Sequence, residues 1–170
     1  MTLTARRCLA ATLVLWLAPG SGLGRPRAET VVIAVVVNPS NTEEGMTSAE
    51  LCDTLLGERR RWTNGSLIQV FVPPAGSQEW TVVLRAVCRT SEAGFRRQVA
   101  SSRAFGHASR PPQVVETASE MKRRVAASQR AIGFVTSSQL DSTVKTLSID
   151  GRSPADAKYS IQASSPAPQR

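Results

Sequence analysis

The sequence predicts an α/β fold, in which helices pack on a sheet whose strands pair at least partly in parallel. Short apolar runs typical of buried strands alternate along the chain with amphipathic segments of helical period. Two Thr-x-x-Glu capping boxes mark helix starts, at Thr47 and at Thr117. Proline, glycine and asparagine separate these segments. No internal repeat or linker interrupts the pattern, so one domain is expected.

The first strand is predicted at Val31–Val37, a run of seven apolar residues that includes five valines. A continuous β-branched run, rather than an alternating one, is typical of a central strand covered on both faces. The Asn-Pro-Ser-Asn sequence at 38–41 ends it, because proline cannot continue a β-ladder and asparagine favours turns.

A short amphipathic helix is predicted from about Thr47 to Leu56. Thr47 and Glu50 form the capping box, and Met46 and Leu51 occupy the positions of a hydrophobic staple. Gly57 lies where helices commonly end. These features predict a helix and indicate no function by themselves.

The middle of the chain alternates in the same way. A second strand is predicted at Leu67–Val72, between the Asn64-Gly65 turn and Pro73-Pro74. The next helix begins at Gly76-Ser77, and its apolar stripe consists of Trp80, Val83, Leu84 and Val87. Ser91 is expected to cap a short third helix that carries Phe95 and Val99.

The remaining elements follow a basic loop at 101–112, which contains the only histidine, His107. A helix begins at Thr117 with Met121 and Val125 on one face. Strands are predicted at Ala131–Val135 and Val144–Ile149, and Asp150-Gly151 ends the second of them. The polar segment 153–170 contains several prolines and serines, so we expect it to be disordered.

The first 24 residues are predicted to be a signal peptide. Arg6 and Arg7 form its positive region, and the apolar run Leu9–Ala18, ten residues long, is too short to span a bilayer. Cleavage is expected between Gly22 and Ala28, before a domain at 25–152. The protein is therefore expected to be periplasmic or secreted.

The whole chain has a formal net charge of +8, and removal of Arg6 and Arg7 leaves +6. This charge favours anionic partners without identifying one. Cys52 and Cys88 remain after signal removal. An oxidising compartment allows a disulfide between them, but both also fall on apolar helix faces and could be buried free thiols.

The order of these motifs resembles the phosphate-type ABC transporter substrate-binding proteins. The similar features are a strand ending in Asn38-Pro39, the capped helix, Leu55-Leu56-Gly57 and Trp62. A helix start at Gly76-Ser77 follows, and then Ala131-Ile132-Gly133-Phe134-Val135. The resemblance covers about Val31 to Val135. It implies a single three-layer lobe of the type 2 periplasmic-binding-protein class, with a mixed, mostly parallel sheet flanked by helices.

The resemblance also implies a function, solute binding without catalysis, with phosphate or another small anion as ligand and a membrane transporter or another envelope protein as partner. Members that hold phosphate carry an Arg and an Asp just before a Ser-Gly-Thr at the second helix start. Residues 72–78 here read Val-Pro-Pro-Ala-Gly-Ser-Gln, which lacks both charges. The alternative is a ligand-free accessory or protein-interaction domain of the same fold.

Two segments are the candidate anion site. Gly76, Ser77 and Gln78 open a helix, where free N–H groups and a partial positive charge attract anions. Asn38 and Ser40 follow a strand at its carboxyl end, where α/β sheets often bind ligands. Each segment also has a structural explanation, since Ser77 could simply cap its helix and 38–41 could be a simple turn.

Other chemistries have little support in the sequence. One histidine, in a basic loop with Arg103 and Arg110, and two scattered cysteines do not form a zinc site. No Gly-x-Ser-x-Gly elbow indicates a hydrolase. Basic clusters such as Lys122-Arg123-Arg124 lack interleaved aromatic residues, which argues against nucleic acid. No catalytic residue, metal or cofactor is predicted.

Overall fold

The computed structural model of this protein describes residues 30–104 and 111–164. The predicted signal peptide, His107, Arg110 and residues 165–170 lie outside the described residues, as does the side chain of Arg103. The strands are β1 (Thr30–Val37), β2 (Gly45–Met46), β3 (Gln69–Val72), β4 (Gln113–Val114), β5 (Ala131–Thr136), β6 (Lys145–Thr146), β7 (Ser148–Ile149) and β8 (Gln162–Ser164). The α-helices are α1 (Ser48–Leu56), α2 (Gln78–Val83), α3 (Glu92–Ala104) and α4 (Ala118–Ala126).

The main sheet has the strand order β4-β3-β5-β1-β6, and β8 pairs with the first half of β1. β3 is parallel to β4 and to β5, whereas β1 is antiparallel to β5, β6 and β8. Five strands therefore run in one direction, and β1 runs opposite to them. This mixed, mostly parallel sheet confirms the predicted fold class.

The structure confirms that β1 is a central strand buried on both faces. The five side chains of Ile33–Val37 are all 0% exposed. Ile33, Val35 and Val37 join the cluster that includes residues of α1, α2 and α3, while Ala34 and Val36 join the one that includes α4. Because alternate side chains of a strand face opposite sides of a sheet, these two clusters make the three-layer arrangement of helices, sheet and helix.

Helix α1 forms as its sequence predicts. The amide of Glu50 donates to Thr47 Oγ1 at 3.2 Å, and the amide of Thr47 donates to Glu50 Oε2 at 2.8 Å, which completes the capping box. The second bond is the main cause that lowers the pKa of Glu50. Gly57 ends the helix with φ 81°, a left-handed conformation that favours glycine. Met46 and Leu51 are both buried.

Helix α2 differs from the regular helix expected. Its predicted stripe, Trp80, Val83, Leu84 and Val87, is buried as expected. From Leu84 to Cys88, however, the backbone forms a π-helical turn, which ends at Arg89 with φ 51°. Cys88 in this turn forms a disulfide with Cys52 of α1, with a Cα–Cα distance of 5.2 Å. Of the two states left open by the sequence, the structure has the disulfide.

Helix α3 is longer than expected. Ser91 Oγ accepts from the amide of Gly94 at 3.2 Å, as predicted for a cap, and Phe95 is buried edge-on against Trp80. The helix continues to Ala104, so the first four residues of the predicted basic loop are helical. The second strand is shorter than predicted, because β3 begins at Gln69 rather than Leu67.

Glycine is required where α4 crosses β5. A Cβ added to Gly133 would lie 2.8 Å from Met121 Sδ and 2.9 Å from Val125 Cγ2. Thr117 Oγ1 caps α4 by accepting from the amide of Glu120 at 3.2 Å. The predicted reciprocal half of this capping box is replaced by ion pairs, since the Glu120 carboxylate binds Arg123 and Arg124.

Two predictions at the end of the chain were wrong. The single strand predicted at Val144–Ile149 is two strands, because β6 pairs with β1 whereas β7 pairs with β2. The segment from Ser153 to Ser164, expected to be disordered, is ordered: Tyr159 and Ile161 are 1% and 0% exposed, and β8 pairs with β1. The domain therefore extends past the predicted boundary at residue 152.

Within residues 30–104 and 111–164, no helix combines the length and apolar character needed to cross a bilayer.

Candidate functional site

Two helices begin at the same end of the sheet. β3, β4 and β5 run in one direction, so their carboxyl ends lie together. The chain leaves β3 through Pro73 and Pro74 to Ser77, the N-cap of α2, and leaves β4 to Thr117, the N-cap of α4. Open α/β sheets commonly bind ligands outside the carboxyl ends of their strands.

A cavity of about 340 Å³ lies between these two helix starts. Ser77 and Thr117 line it, together with Thr136, the last residue of β5, and Gln139, which follows that strand. Thr136 Oγ1 donates to Gln139 Oε1 at 2.7 Å and lies 3.1 Å from Ser138 Oγ. The cavity therefore offers neutral polar groups on three sides.

Both cap hydroxyls are already used within their own helices. Ser77 Oγ accepts from the amide of Trp80 at 3.1 Å, as Thr117 Oγ1 does from the amide of Glu120. Gln78 and Ala118 are the first residues of their helices, so their amides have no intrahelical carbonyl to donate to and helix geometry directs them out of the helix ends. Ala118 lines the cavity, and Gln78 follows the lining residue Ser77. These two helix starts, each with a partial positive charge, are the features that could attract an anion there.

Two carboxylates oppose that attraction. Glu79, in the first turn of α2, and Glu116, just before α4, both line the cavity. Among the described residues that line it, none is lysine or arginine. The cavity thus combines two helix N-termini with two acidic side chains.

Gly76 is oriented differently from Ser77. Gly76 turns the chain into α2 with a φ of +79°, a backbone conformation that residues other than glycine rarely adopt. Its amide donates to Glu92 Oε2 of α3 at 2.8 Å, so this predicted anion donor is occupied by a carboxylate of the chain itself. Ser77 lines the cavity, whereas Gly76 does not, and Gln78 is exposed beside it.

The structure does not bring Asn38 and Ser40 to this cavity, contrary to the prediction that both segments face one ligand. Val37 and Val70 are both level with Ile132, and β1 runs opposite to β3, so Asn38 lies at the start of β3 and not at its end. The prediction was wrong because β1 is antiparallel to β3 and β5, so the carboxyl end of β1 lies at the opposite end of the sheet from theirs.

Asn38 has a structural role instead. Its side chain is 7% exposed, and Nδ2 donates to the carbonyl oxygens of Val125 at 3.3 Å and Ala126 at 2.6 Å. Its Oδ1 accepts from the amide of Ser40 at 2.9 Å. Asn38 therefore holds the last turn of α4 and shapes the 38–41 turn, while Ser40 is exposed.

Five polar lining residues were missed from the sequence as site residues: Thr117, Glu116, Glu79, Thr136 and Gln139. Thr117 was recognised as a cap, and the pattern of a short strand followed by a capped helix is the same at Ser77. That shared pattern is the signal that could have paired the two helix starts. Nothing in the sequence indicates that β3 lies between β4 and β5 in the sheet.

Comparison with known proteins shows a likeness of fold. No family model matches the sequence, and no curated protein matches it. Among solved structures, an ABC-type phosphate transport receptor from Vibrio cholerae superposes with a TM-score of 0.63 at 20% identity, over 78% of this chain and 54% of the receptor.

Two further structures agree. A protein from Clostridium perfringens, assigned as a phosphate ABC transporter substrate-binding protein and holding phosphate, has a TM-score of 0.64 at 17% identity, covering 79% of this chain and 54% of that one. PstS from Borrelia burgdorferi has a TM-score of 0.64 at 13% identity, covering 79% and 55%. The chain thus has the fold of these proteins and spans about half the length of each.

Proposed function

We propose that this protein is an exported solute-binding lobe that takes a small anion, with phosphate as the first candidate, in the cavity between the starts of α2 and α4. The observation that carries the proposal is the convergence of two helix N-termini on one cavity at the carboxyl ends of β3 and β5. Two oriented helix ends supply amide donors and positive potential without any arginine.

The comparisons support the type of function. The structures of similar fold are phosphate receptors or substrate-binding proteins of ABC transporters, and one of them holds phosphate. Because the chain spans about half the length of each, we propose that a second lobe, from elsewhere in the protein or from a partner, closes over the anion. A membrane transporter is the proposed recipient.

Export is supported by two features. The first 24 residues read as a signal peptide, and the Cys52–Cys88 disulfide fits an oxidising compartment. A periplasmic or secreted location is therefore part of the proposal. Binding without catalysis is also part of it, and the support is that the structures of similar fold are binding proteins.

The test is isothermal titration of the purified protein with phosphate at low salt, beside sulfate. We expect saturable phosphate binding. Glu116→Gln should tighten it by about 1.4-fold to fivefold, because it removes a like charge and exposed charge pairs are worth roughly 0.2–1 kcal/mol.

The matched control is Glu44→Gln, which removes the same charge from an exposed residue outside the cavity that pairs with Lys145. It should leave the phosphate affinity unchanged. Equal affinities of wild type and Glu116→Gln would reject the cavity as the anion site.

A second candidate function is a ligand-free accessory lobe that binds another envelope protein. Glu79 and Glu116 favour it, because two carboxylates at the cavity weaken attraction for an anion. The absence of heat up to millimolar phosphate, in the wild type and in Glu116→Gln alike, would support this function over anion binding.

A further inference from the structure

A second concave surface lies at the opposite end of the sheet from the cavity. It is a groove of about 520 Å³ between the end of α1, the starts of β3 and β5, and Val99 of α3. We call it the arginine groove, since its lining includes Arg59, Arg60 and Arg130. Its size is within the range of small-molecule sites.

The floor of the arginine groove is apolar. Leu56, Ile68, Val70 and Val99 are half-buried there, and Leu67 is 51% exposed, one of two large apolar side chains of the described residues that stand out in this way. Removing such surface from water is favourable in proportion to the apolar area buried. The floor therefore suits an apolar ligand body.

The rim of the groove is cationic. In the described part of the chain, no aspartate or glutamate lines it, whereas the cavity at the other end has two glutamates and no basic residue. Arg59 pairs with Glu50 at 2.8 Å, and Arg130 is in none of the ion pairs of the described residues. A guanidinium presents a fork of donors that matches a carboxylate.

Arg130 is held in place through its backbone. Its carbonyl oxygen accepts from the amide of Gln69 at 2.9 Å and from Nε1 of the buried Trp62 at 3.1 Å. These bonds fix the residue between the groove and the start of β5 while leaving its side chain exposed. A substitution of the side chain therefore preserves both bonds.

The edge of β3 beside the groove is unsuited to an added peptide strand. β4 is parallel to β3, with Gln113 opposite Phe71. Continuing this register toward the start of β3 places Pro112 beside Val70 and Pro111 beside Gln69. Prolines have no N–H to donate to a ladder. A compact ligand that needs no main-chain pairing fits this groove better than an extended peptide.

From this geometry we infer that the arginine groove binds a small amphiphilic anion, with a carboxylate at Arg130 and an apolar chain along Leu67, Ile68 and Val70. A medium-chain fatty acid has this chemistry. The inference does not depend on anion binding at the cavity, since the two surfaces lie at opposite ends of the sheet and share no lining residue.

The experiment is calorimetric titration of the purified protein with decanoate below its micelle concentration, beside decyltrimethylammonium, which has the same chain and the opposite charge. Decanoate should bind saturably and the cation should not. Arg130→Gln should weaken decanoate binding about tenfold or more, as expected for loss of a hydrogen bond to a charged group. Arg85→Gln, the matched control at an exposed arginine outside the groove, should change nothing.

A second variant, Leu67→Gln, tests the apolar contact without altering charge, and circular dichroism of each variant checks the fold. Leu67→Gln should also weaken decanoate binding. Absence of saturable binding, equal binding of the cation, or an affinity unchanged by Arg130→Gln would each overturn the inference.

Discussion

At the scale of single residues, Asp141 links α4 to the rim of the cavity. Its carboxylate accepts from Lys122 Nζ of α4 and from the amide of Thr143 at 3.0 Å. Lys122 Nζ also donates to the carbonyl oxygen of Gln139, a cavity residue, at 2.9 Å. The hydrogen bond from Lys122 is the largest cause that lowers the pKa of Asp141 from 3.8 to about 2, with the Thr143 bonds next.

This low pKa predicts a specific pH dependence. The pKa is lowered in the folded state, so the stabilisation is fully present above pH 3.8 and is lost as the pH falls through about 2. The stability advantage of wild type over Asp141→Asn should be nearly constant from pH 7 to near 4, should fall between pH 4 and 2, and should disappear below about pH 2. Urea denaturation at several pH values measures it, and a carboxyl titration midpoint near 3.8 by NMR would contradict it.

The local features of residues were the most predictable from sequence. The Thr47 and Glu50 capping box, Gly57 at the helix end, and the Ser77, Ser91 and Thr117 caps depend on chemistry within four residues of each cap, and all are present. Glu120 departs from its predicted role because Arg123 and Arg124, one turn further on, compete for its carboxylate.

At the scale of elements, the segment that leads into β8 shows how two buried side chains order a polar stretch of chain. Composition alone indicated disorder, yet Tyr159 and Ile161 are two residues apart and both enter the core. The amide of Ile33 donates to the carbonyl oxygen of Ile161 at 2.9 Å, just before β8 pairs with β1. An alternating pair this short is too weak a sequence signal to be separated from a loop.

Burial of Tyr159 predicts a large effect of truncation. Tyr159→Ala should lower the free energy of unfolding by about 3–5 kcal/mol, as large-to-small substitutions of buried aromatic side chains do. Lys158→Ala, at the exposed neighbour, is the control and should change it by less than about 0.5 kcal/mol. Denaturant unfolding measures both. Indistinguishable midpoints for the two variants would mean that this segment is not packed as described.

At the scale of the whole molecule, one strand direction decides which residues share a surface. β1 is antiparallel to β5, which puts Asn38 at the end of the sheet opposite to Ser77 and Thr117. The apolar run of β1 predicted its burial, because burial depends on composition. Its direction depends on which strands lie beside it, and the pairing of β1 with β5 joins residues about a hundred positions apart.

The disulfide contributes to stability of the whole fold. It joins Cys52 to Cys88 across 36 residues, and closing a loop of this length restricts the unfolded chain by about 3–4 kcal/mol at 25 °C. The double variant Cys52→Ala, Cys88→Ala should lower the free energy of unfolding by about that amount, measured with urea. Dithiothreitol should lower the wild-type value similarly and leave the variant unchanged, and a wild-type value insensitive to dithiothreitol would contradict the prediction.

The pairing of β1 with β8 has a topological consequence. Thr30 and Ser164 are register partners in this antiparallel pair, so their Cα atoms are about 5 Å apart, at the end of the sheet where the cavity opens. A linker of a few residues could join Thr30 to Ser164, and new termini could then be placed at the exposed Asn64-Gly65 turn, which gives a circular permutation of the domain. For the same reason the unit could be spliced into a surface loop of a host protein, with both junctions beside the cavity.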